Sequence, residues 1–336
     1  MTTAYFEAAK DAAGSELAEE LAADLRACEA FMRSRLGSQV ESVESVGRHV
    51  AEGGGKRLRP LFVSLGARAG GGEYVAGRVH AVGACVEMIH MATLIHDDVV
   101  DEAPTRRGRP APSALWGNTA AILSGDVLLS KAMEILAEDG DLRIIRTVSR
   151  AVVEMAEGQV LEVETRGRFD LSADEHMDIL RRKTASFMAC CCKAGAMIGG
   201  ADPETERALD AYGRAAGVAF QIADDLLDFR GEVVKTGKRR ATDFCEGVAT
   251  LPLIYLRDRL DADELDYTRS RFGNGITEKE MDVICGWMEE RGAYGAAMKK
   301  ARAYAAEARA AASSLPPGGA RRLLEAITNF VVAREA

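Results

Sequence analysis

The sequence predicts an all-α fold, a single-domain helical bundle of roughly ten or more helices. Three observations predict it. Strand signals are scarce, with no sustained apolar/polar alternation bounded by Asn-Gly or Asp-Gly turns, and aromatic residues make up only 6% of the chain. Alanine, leucine and glutamate dominate, and apolar residues recur at intervals of three and four. Glycine and proline fall in clusters that divide the chain into helical lengths, several long enough for about four turns or more.

Taken in order, the first element carries the stripe Leu17, Leu21, Leu25 and Cys28, one face of a helix. Breaks follow at Gly53-Gly54-Gly55 and Gly70-Gly71-Gly72. The apolar run Met88–Ile95 then leads into Asp97-Asp98-Val99-Val100-Asp101, with the next break at Gly108 to Pro112. The apolar stretch Phe187–Ile198 is cut by Lys193 and stops at Gly199-Gly200. The run Val218–Ala223 leads into Asp224-Asp225-Leu226-Leu227-Asp228, followed by breakers from Gly231 to Gly237 and from Pro316 to Gly319. No Pro/Ser-rich linker or composition shift intervenes, so one domain over residues 1–336 is expected.

Composition narrows the function. Hydrophobic residues at 47% supply an ample core, and a net charge of −9 with a pI near 5.3 argues against nucleic acid as the main partner. The seven cysteines show no metal-ligand spacing. On a helix Cys190, Cys191 and Cys192 point about 100° apart, so they read as small buried residues of a reducing compartment. No signal peptide and no run of 18 apolar residues is visible, so a cytoplasmic protein without a transmembrane segment is expected.

The two Asp-Asp-x-x-Asp clusters lie 127 positions apart. A single copy reads as an acidic surface patch. Two copies, each ending an apolar run, do not fit a solvated helix face. On a helix the first and last carboxylates share a face one turn apart. Such carboxylates in an apolar setting need cations, because repulsion and desolvation otherwise force protonation. Oxygen-only ligands suit Mg²⁺, which binds through one or two carboxylates plus substrate phosphates. Asp97, Asp98, Asp101, Asp224, Asp225 and Asp228 are therefore the candidate metal ligands of a Mg²⁺-diphosphate site.

Cationic partners stand nearby. Gly53-Gly54-Gly55-Lys56-Arg57-Leu58-Arg59-Pro60 places three basic residues behind a turn whose backbone can approach phosphate, without the P-loop pattern. Arg106-Arg107-Gly108 begins five residues after Asp101, and arginine offers bidentate donors to phosphate. Lys183-Thr184 and Lys238 are further candidates.

From about residue 45 to its C-terminus the chain resembles the all-trans polyprenyl diphosphate synthases, the long-chain octaprenyl and solanesyl type in particular. The resemblance rests on Gly54–Pro60, on Leu94–Asp101 with Thr105-Arg106-Arg107-Gly108, on Glu157-Gly158-Gln159, on Lys183-Thr184-Ala185 and on Phe220–Phe229. It implies the isoprenoid synthase fold, helices around a deep central cavity with the two aspartate motifs facing each other at its mouth and holding three Mg²⁺. It also implies that Arg106, Lys183 and Lys238 hold an allylic diphosphate, with Thr184 and Gln221 beside it. Lys56, Arg59, His90 and Arg107 would hold the diphosphate of isopentenyl diphosphate. The catalytic set is then the six aspartates with Arg106, Lys183 and Lys238, and the family is typically homodimeric. The absence of a Ser/His/Asp or Cys/His arrangement is consistent with ionisation and condensation that need no side-chain nucleophile, and His96 is given no catalytic role.

Product length should be set one turn before Asp97. Thr93 and Ala92 lie roughly 6–7.5 Å below it along the helix, and both are small, so a long shaft and a product of about thirty carbons or more are expected. Its floor would lie deeper, at Ile89 or at Leu129 and Met133. Two departures stand against the family pattern. Glu246-Gly247-Val248-Ala249-Thr250-Leu251-Pro252 has valine where relatives carry a diphosphate-binding lysine, for which Arg239 or Arg240 could compensate, and the C-terminus lacks a basic tail. Three alternatives remain: a medium-chain synthase, a terpene cyclase, against which the second aspartate motif argues, and a non-catalytic subunit of a heteromeric synthase.

Overall fold

The structure, a computed structural model, describes residues 10–230 and 240–333. It comprises two compact units interleaved in sequence. The first unit holds residues 1–149, 190–210 and 314–326, and the second residues 150–189, 211–313 and 327–336. Described residues are helical throughout, apart from one small hairpin and the turns.

In the first unit α1 (Ser15–Arg35), α2 (Glu41–Glu52) and α3 (Leu58–Ala69) precede the long α4 (Ala76–Val100). Leu21, Leu25 and Cys28 of the expected stripe are buried, joined by Ala18 and Met32 one helical turn away. The 25-residue α4 is long and apolar enough to cross a membrane, but two-thirds of that window is buried within the unit against neighbouring helices. It is a core helix. The strands β1 (Thr105–Arg106) and β2 (Arg109–Pro110) form the hairpin, after which come α5 (Pro112–Trp116) and α6 (Asn118–Asp139). Composition predicted no strand here, because strands of two residues carry no period. Arg107 at φ 53° and Gly108 at φ 74° make the tight two-residue turn.

Residues 142–165 form α7, and Ser186–Ile198 form α9. Backbones of α3 and the first-unit part of α9 touch. A Cβ on Gly66 would meet the Cys192 oxygen at 2.2 Å, and one on Gly195 would meet the Val63 oxygen at 2.1 Å. This contact explains the small residues here: Cys190, Cys191 and Cys192 are buried free thiols, each pushed up by desolvation.

In the second unit α8 (Ala173–Leu180) continues through one π-helical turn, Arg181–Ala185, before α10 (Pro203–Arg230) and the shorter α11 (Thr242–Cys245). Then follow α12 (Leu251–Arg257), α13 (Ala262–Arg269), α14 (Glu278–Glu290), α15 (Ala293–Ser313) and α16 (Gly319–Ala333), the last, like α10, starting in the first unit. Ile222, Leu226 and Phe229 of α10 pack in a core with Phe244, Leu253, Ile254, Ile284 and Tyr294. Phe272 stacks edge-on between Phe169 and Phe244, each 5.5 Å away. Capping boxes at Ser172/Glu175, Asp261/Glu264 and Thr277/Glu280 start α8, α13 and α14.

Candidate active site

The first aspartate motif ends α4. The Asp101 N–H donates to the Asp97 carbonyl at 2.8 Å, which places the two side chains one turn apart on a half-buried face. Asp98 turns the other way, 1% exposed, and accepts from Arg106 Nε at 2.5 Å. A buried carboxylate needs such a donor, and the hairpin exists at the right distance to supply it. The turn residue Arg107 donates from Nη1 to the Gly54 carbonyl, and a Cβ on Gly55 would collide with that guanidinium at 2.9 Å. Glycine at 55 suits its positive φ of 156° and leaves room for the arginine that lies across it. Ala92 is buried on α4, and Thr93 bonds back to the His90 carbonyl at 2.9 Å.

The guanidiniums of Arg59, Arg107, Arg106 and Arg57 all lie near enough to His90 to act on its charge. Loss of hydration first, and then repulsion from these arginines, drives its imidazole well below the ordinary range, so His90 is neutral at physiological pH. Burial likewise pushes the Arg59 guanidinium down, opposed by Glu87 on α4. Lys56 stands on the same glycine turn. Of the residues expected to hold isopentenyl diphosphate, the structure gathers Arg59, His90 and Arg107 around one locus, with Lys56 adjacent in the chain. The locus carries an excess of positive charge and suits a polyanion.

The second motif ends α10. Asp224 is exposed, whereas Asp225 is buried with both carboxylate oxygens engaged: Gln221 Nε2 donates to Oδ1 at 3.0 Å and His176 Nε2 lies 3.3 Å from Oδ2. Thr184 Oγ1 donates to Gln221 Oε1 at 3.1 Å, which fixes the amide so that its nitrogen faces Asp225. Asp228 accepts the backbone N–H groups of Thr242 and Asp243 at 3.1 and 3.0 Å. Desolvation, with Asp225 and Asp224 adding repulsion, nonetheless raises its carboxyl. Asp243 is driven well above the usual carboxylate range by burial and by Asp228, Asp225, Glu162 and Glu246. Lys183 leaves the π-turn to bond Glu162 at 2.5 Å. Val248 donates its N–H to the Asp243 carbonyl at 2.8 Å and brings no charge to this acidic neighbourhood. Lys238 and Arg239 lie outside the described residues; Arg240 bonds Asp282.

A scan of family models matches the polyprenyl synthetase model over residues 40–284. The chain belongs to the polyprenyl synthetase family. It is 35% identical to the nonaprenyl diphosphate synthase of Mycobacterium tuberculosis, covering 99% of both chains. It is 36% identical to a short chain isoprenyl diphosphate synthase of Methanothermobacter thermautotrophicus, covering 88% of this chain and 91% of the relative. Among solved structures, a polyprenyl synthase of Caulobacter crescentus complexed with calcium and isoprenyl diphosphate matches with a TM-score of 0.90 at 34% identity, over 98% of each chain.

Family membership implies a divalent metal. Among the described residues no three acidic, histidine or cysteine side chains form a preformed metal cage. Mg²⁺ does not require one, since it takes one or two carboxylates and completes its shell with water and phosphate. Asp97 with Asp101, and Asp224 with the raised Asp228, offer oxygens of the right kind. The residues fit. Of the six aspartates, Asp98 and Asp225 are the two buried ones, 1% and 4% exposed, and each accepts from side-chain donors.

Sequence reasoning missed four residues: Glu87, Glu162, His176 and Asp243. Glu87 had a signal, as the lone acid within the apolar run from Ala81 to Ile89. His176 stands seven residues before Lys183, two helical turns on one face. Asp243 and Glu162 carried none.

Proposed function

We propose that the protein is a trans-prenyltransferase that condenses isopentenyl diphosphate with an allylic diphosphate, geranyl or farnesyl, into a long-chain all-trans polyprenyl diphosphate. The observation that carries this reading is the guanidinium cluster around neutral His90 beside the Asp97/Asp101 face. It is a polyanion site next to a divalent-metal site. The Caulobacter relative, complexed with calcium and isoprenyl diphosphate, supports the same pairing of ligands.

Lys56, Arg59, His90 and Arg107 bind the isopentenyl diphosphate, and a neutral imidazole can donate one hydrogen bond without adding charge. Asp97, Asp101, Asp224 and Asp228 would hold Mg²⁺, three ions by family resemblance. Asp98 and Asp225, held by Arg106 and by Gln221 with His176, orient the helix ends that carry them. Bound Mg²⁺ would supply charge neutralisation to the leaving diphosphate and so ease ionisation of the allylic C–O bond. Arg106, Lys183 and Lys238 add fixed positive charge for that diphosphate, with Thr184 and Gln221 beside it. The isopentenyl double bond, held close, attacks the allylic cation, and a proton lost to the departed diphosphate restores the alkene. No side chain becomes covalently attached. Water must be kept out, which suits an apolar α4.

Ala92, small and buried above Ile89, and Thr93 favour a long product over the shorter one that the Methanothermobacter relative's name describes. Incubation with Mg²⁺, isopentenyl diphosphate and farnesyl diphosphate tests the activity, and no elongation sinks it. Chromatography of the products tests the length. Ala92→Phe is expected to shorten them, and an unchanged distribution removes Ala92 from that role.

A homodimer is supported by exposed apolar side chains within each unit: Leu115, Ile122 and Leu123 in the first, Val153, Val160 and Val163 in the second. Light scattering giving a monomer mass would overturn it. Seven free cysteines support a cytoplasmic location.

A further inference from the structure

Arg57 belongs to the basic turn yet is not among the residues assigned to substrate. It precedes α3 in the left-handed region, φ 50° and ψ 37°, a conformation that a non-glycine residue holds only when its surroundings impose it. The side chain is what imposes it. Arg57 is 10% exposed and is held from several directions. Its Nη1 donates to Glu87 Oε1 at 2.6 Å, its Nη2 donates to the Ala51 carbonyl at 3.0 Å, and Glu29 lies 3.6 Å away. Those partners come from α4, α2 and α1.

Glu87 is as enclosed as Arg57, 6% exposed, and it sits one helical turn before His90 on the rigid α4. Among the described residues its Oε2 has no hydrogen-bond partner. A carboxylate kept in that state within a core helix is costly unless it is used as a counter-ion. Here it is the carboxylate that Arg57 meets directly, and it acts electrostatically on both Arg59 and Arg107.

We infer that the Arg57–Glu87 ion pair is a positioning device that fixes the Gly53–Arg57 turn to α4. Lys56 and Arg59 are thereby presented to the isopentenyl diphosphate in register with His90, while neither member of the pair touches substrate. Arg107, bonded to Gly54, ties the same turn from the hairpin side. This inference rests on the functional reading above.

A purely structural role for the pair predicts something different, and a double variant separates the two. Replacing one member strands a buried charge, whereas replacing both with apolar residues of similar volume restores stability. The set is Arg57→Met, Glu87→Leu and the double variant Arg57→Met/Glu87→Leu, with Arg57→Lys as the milder change should a single variant not fold. KM is measured for each substrate separately, alongside the melting temperature. The expected result is an isopentenyl diphosphate KM raised about tenfold or more, an allylic KM changed less than about twofold, and a double variant that recovers the melting temperature but not the KM. Arg57→Lys keeps the charge but not both hydrogen bonds and should show a smaller rise in the same KM. Return of the parent KM in the double variant, or equal changes for both substrates, would overturn the inference. Parent protein that elongates normally while no variant shifts KM overturns this inference alone; parent protein without turnover overturns the functional reading and this with it.

Discussion

Gly158 lies on α7 where that helix meets the π-turn, and replacing it with alanine tests whether Lys183 must stand where it does. A Cβ at 158 would meet the Lys183 backbone nitrogen at 2.5 Å, Arg182 Cβ at 2.8 Å and Lys183 Cα at 3.0 Å. Ordinary contact begins near 3.4 Å, so the closest pair must separate by about 0.9 Å. The obstructing atoms are backbone and Cβ, which cannot swing aside as a side-chain tip can. Alanine gains about 1 kcal/mol of helix propensity over glycine. Overpacking costs about 1–3 kcal/mol, and against rigid backbone the upper part of that range, about 2–3 kcal/mol, applies, so the steric cost is expected to win by about 1–2 kcal/mol. The melting temperature should fall by about 2–4 °C. Function should suffer more, because the displaced segment carries Lys183 and Thr184, and a misplacement of about 1 Å can cost on the order of a hundredfold in rate. Steady-state elongation and a thermal melt read both quantities. A variant that melts lower but turns over within about twofold of the parent would refute the role given to Lys183. One that changes neither would refute the close approach itself.

Two further expectations follow from the second unit. Val248→Lys returns an ammonium to the surroundings of Asp243 and Asp228, on the scale of a charged hydrogen bond of about 1.5–3 kcal/mol, and should lower the allylic diphosphate KM by about tenfold; an unchanged or raised KM would show that this chain has replaced that cation elsewhere. The exposed Glu175 and the half-buried Glu280 are each held at about 2 by the backbone N–H and hydroxyl of their cap residues, Ser172 and Thr277. A depressed folded-state value means that their stabilisation is present above the unfolded value near 4.5 and lost as pH falls toward 2. Glu175→Gln should flatten that acid limb in melts recorded against pH, and an identical pH profile would refute the coupling.

Helix boundaries were legible in the sequence wherever a glycine or proline cluster does conformational work. Gly70 closes α3, Gly199-Gly200 ends α9, and Pro316–Gly318 precedes α16. The π-turn at Arg181–Ala185 was not legible. An i→i+5 turn has no composition of its own and forms here where α7 presses on the chain at Gly158. The hairpin was hidden for a different reason. Its left-handed Arg107 contradicts local preference, and what compensates is a bond to Gly54, 53 residues away, that no window of sequence contains.

Asp-Asp-x-x-Asp stood out because two copies end apolar runs, yet the pattern treats its three acids alike and the fold does not. Adjacent helix positions point about 100° apart, so if the first and last aspartates face one way the middle one must face another. Asp98 therefore turns into the first unit and Asp225 into the second, and a buried carboxylate persists only with donors. Those donors could not be read from spacing. Arg106 reaches Asp98 only because the hairpin folds back eight residues on, and His176 reaches Asp225 from a helix 49 residues upstream. The consequence is a division of labour within each motif that follows from helix geometry and desolvation alone. The middle carboxylate is buried against Arg106, or against Gln221 and His176, so in the function proposed above it locks the helix end while the less buried outer positions, Asp97 with Asp101 and Asp224 with Asp228, meet a cation whose remaining ligands are phosphate and water.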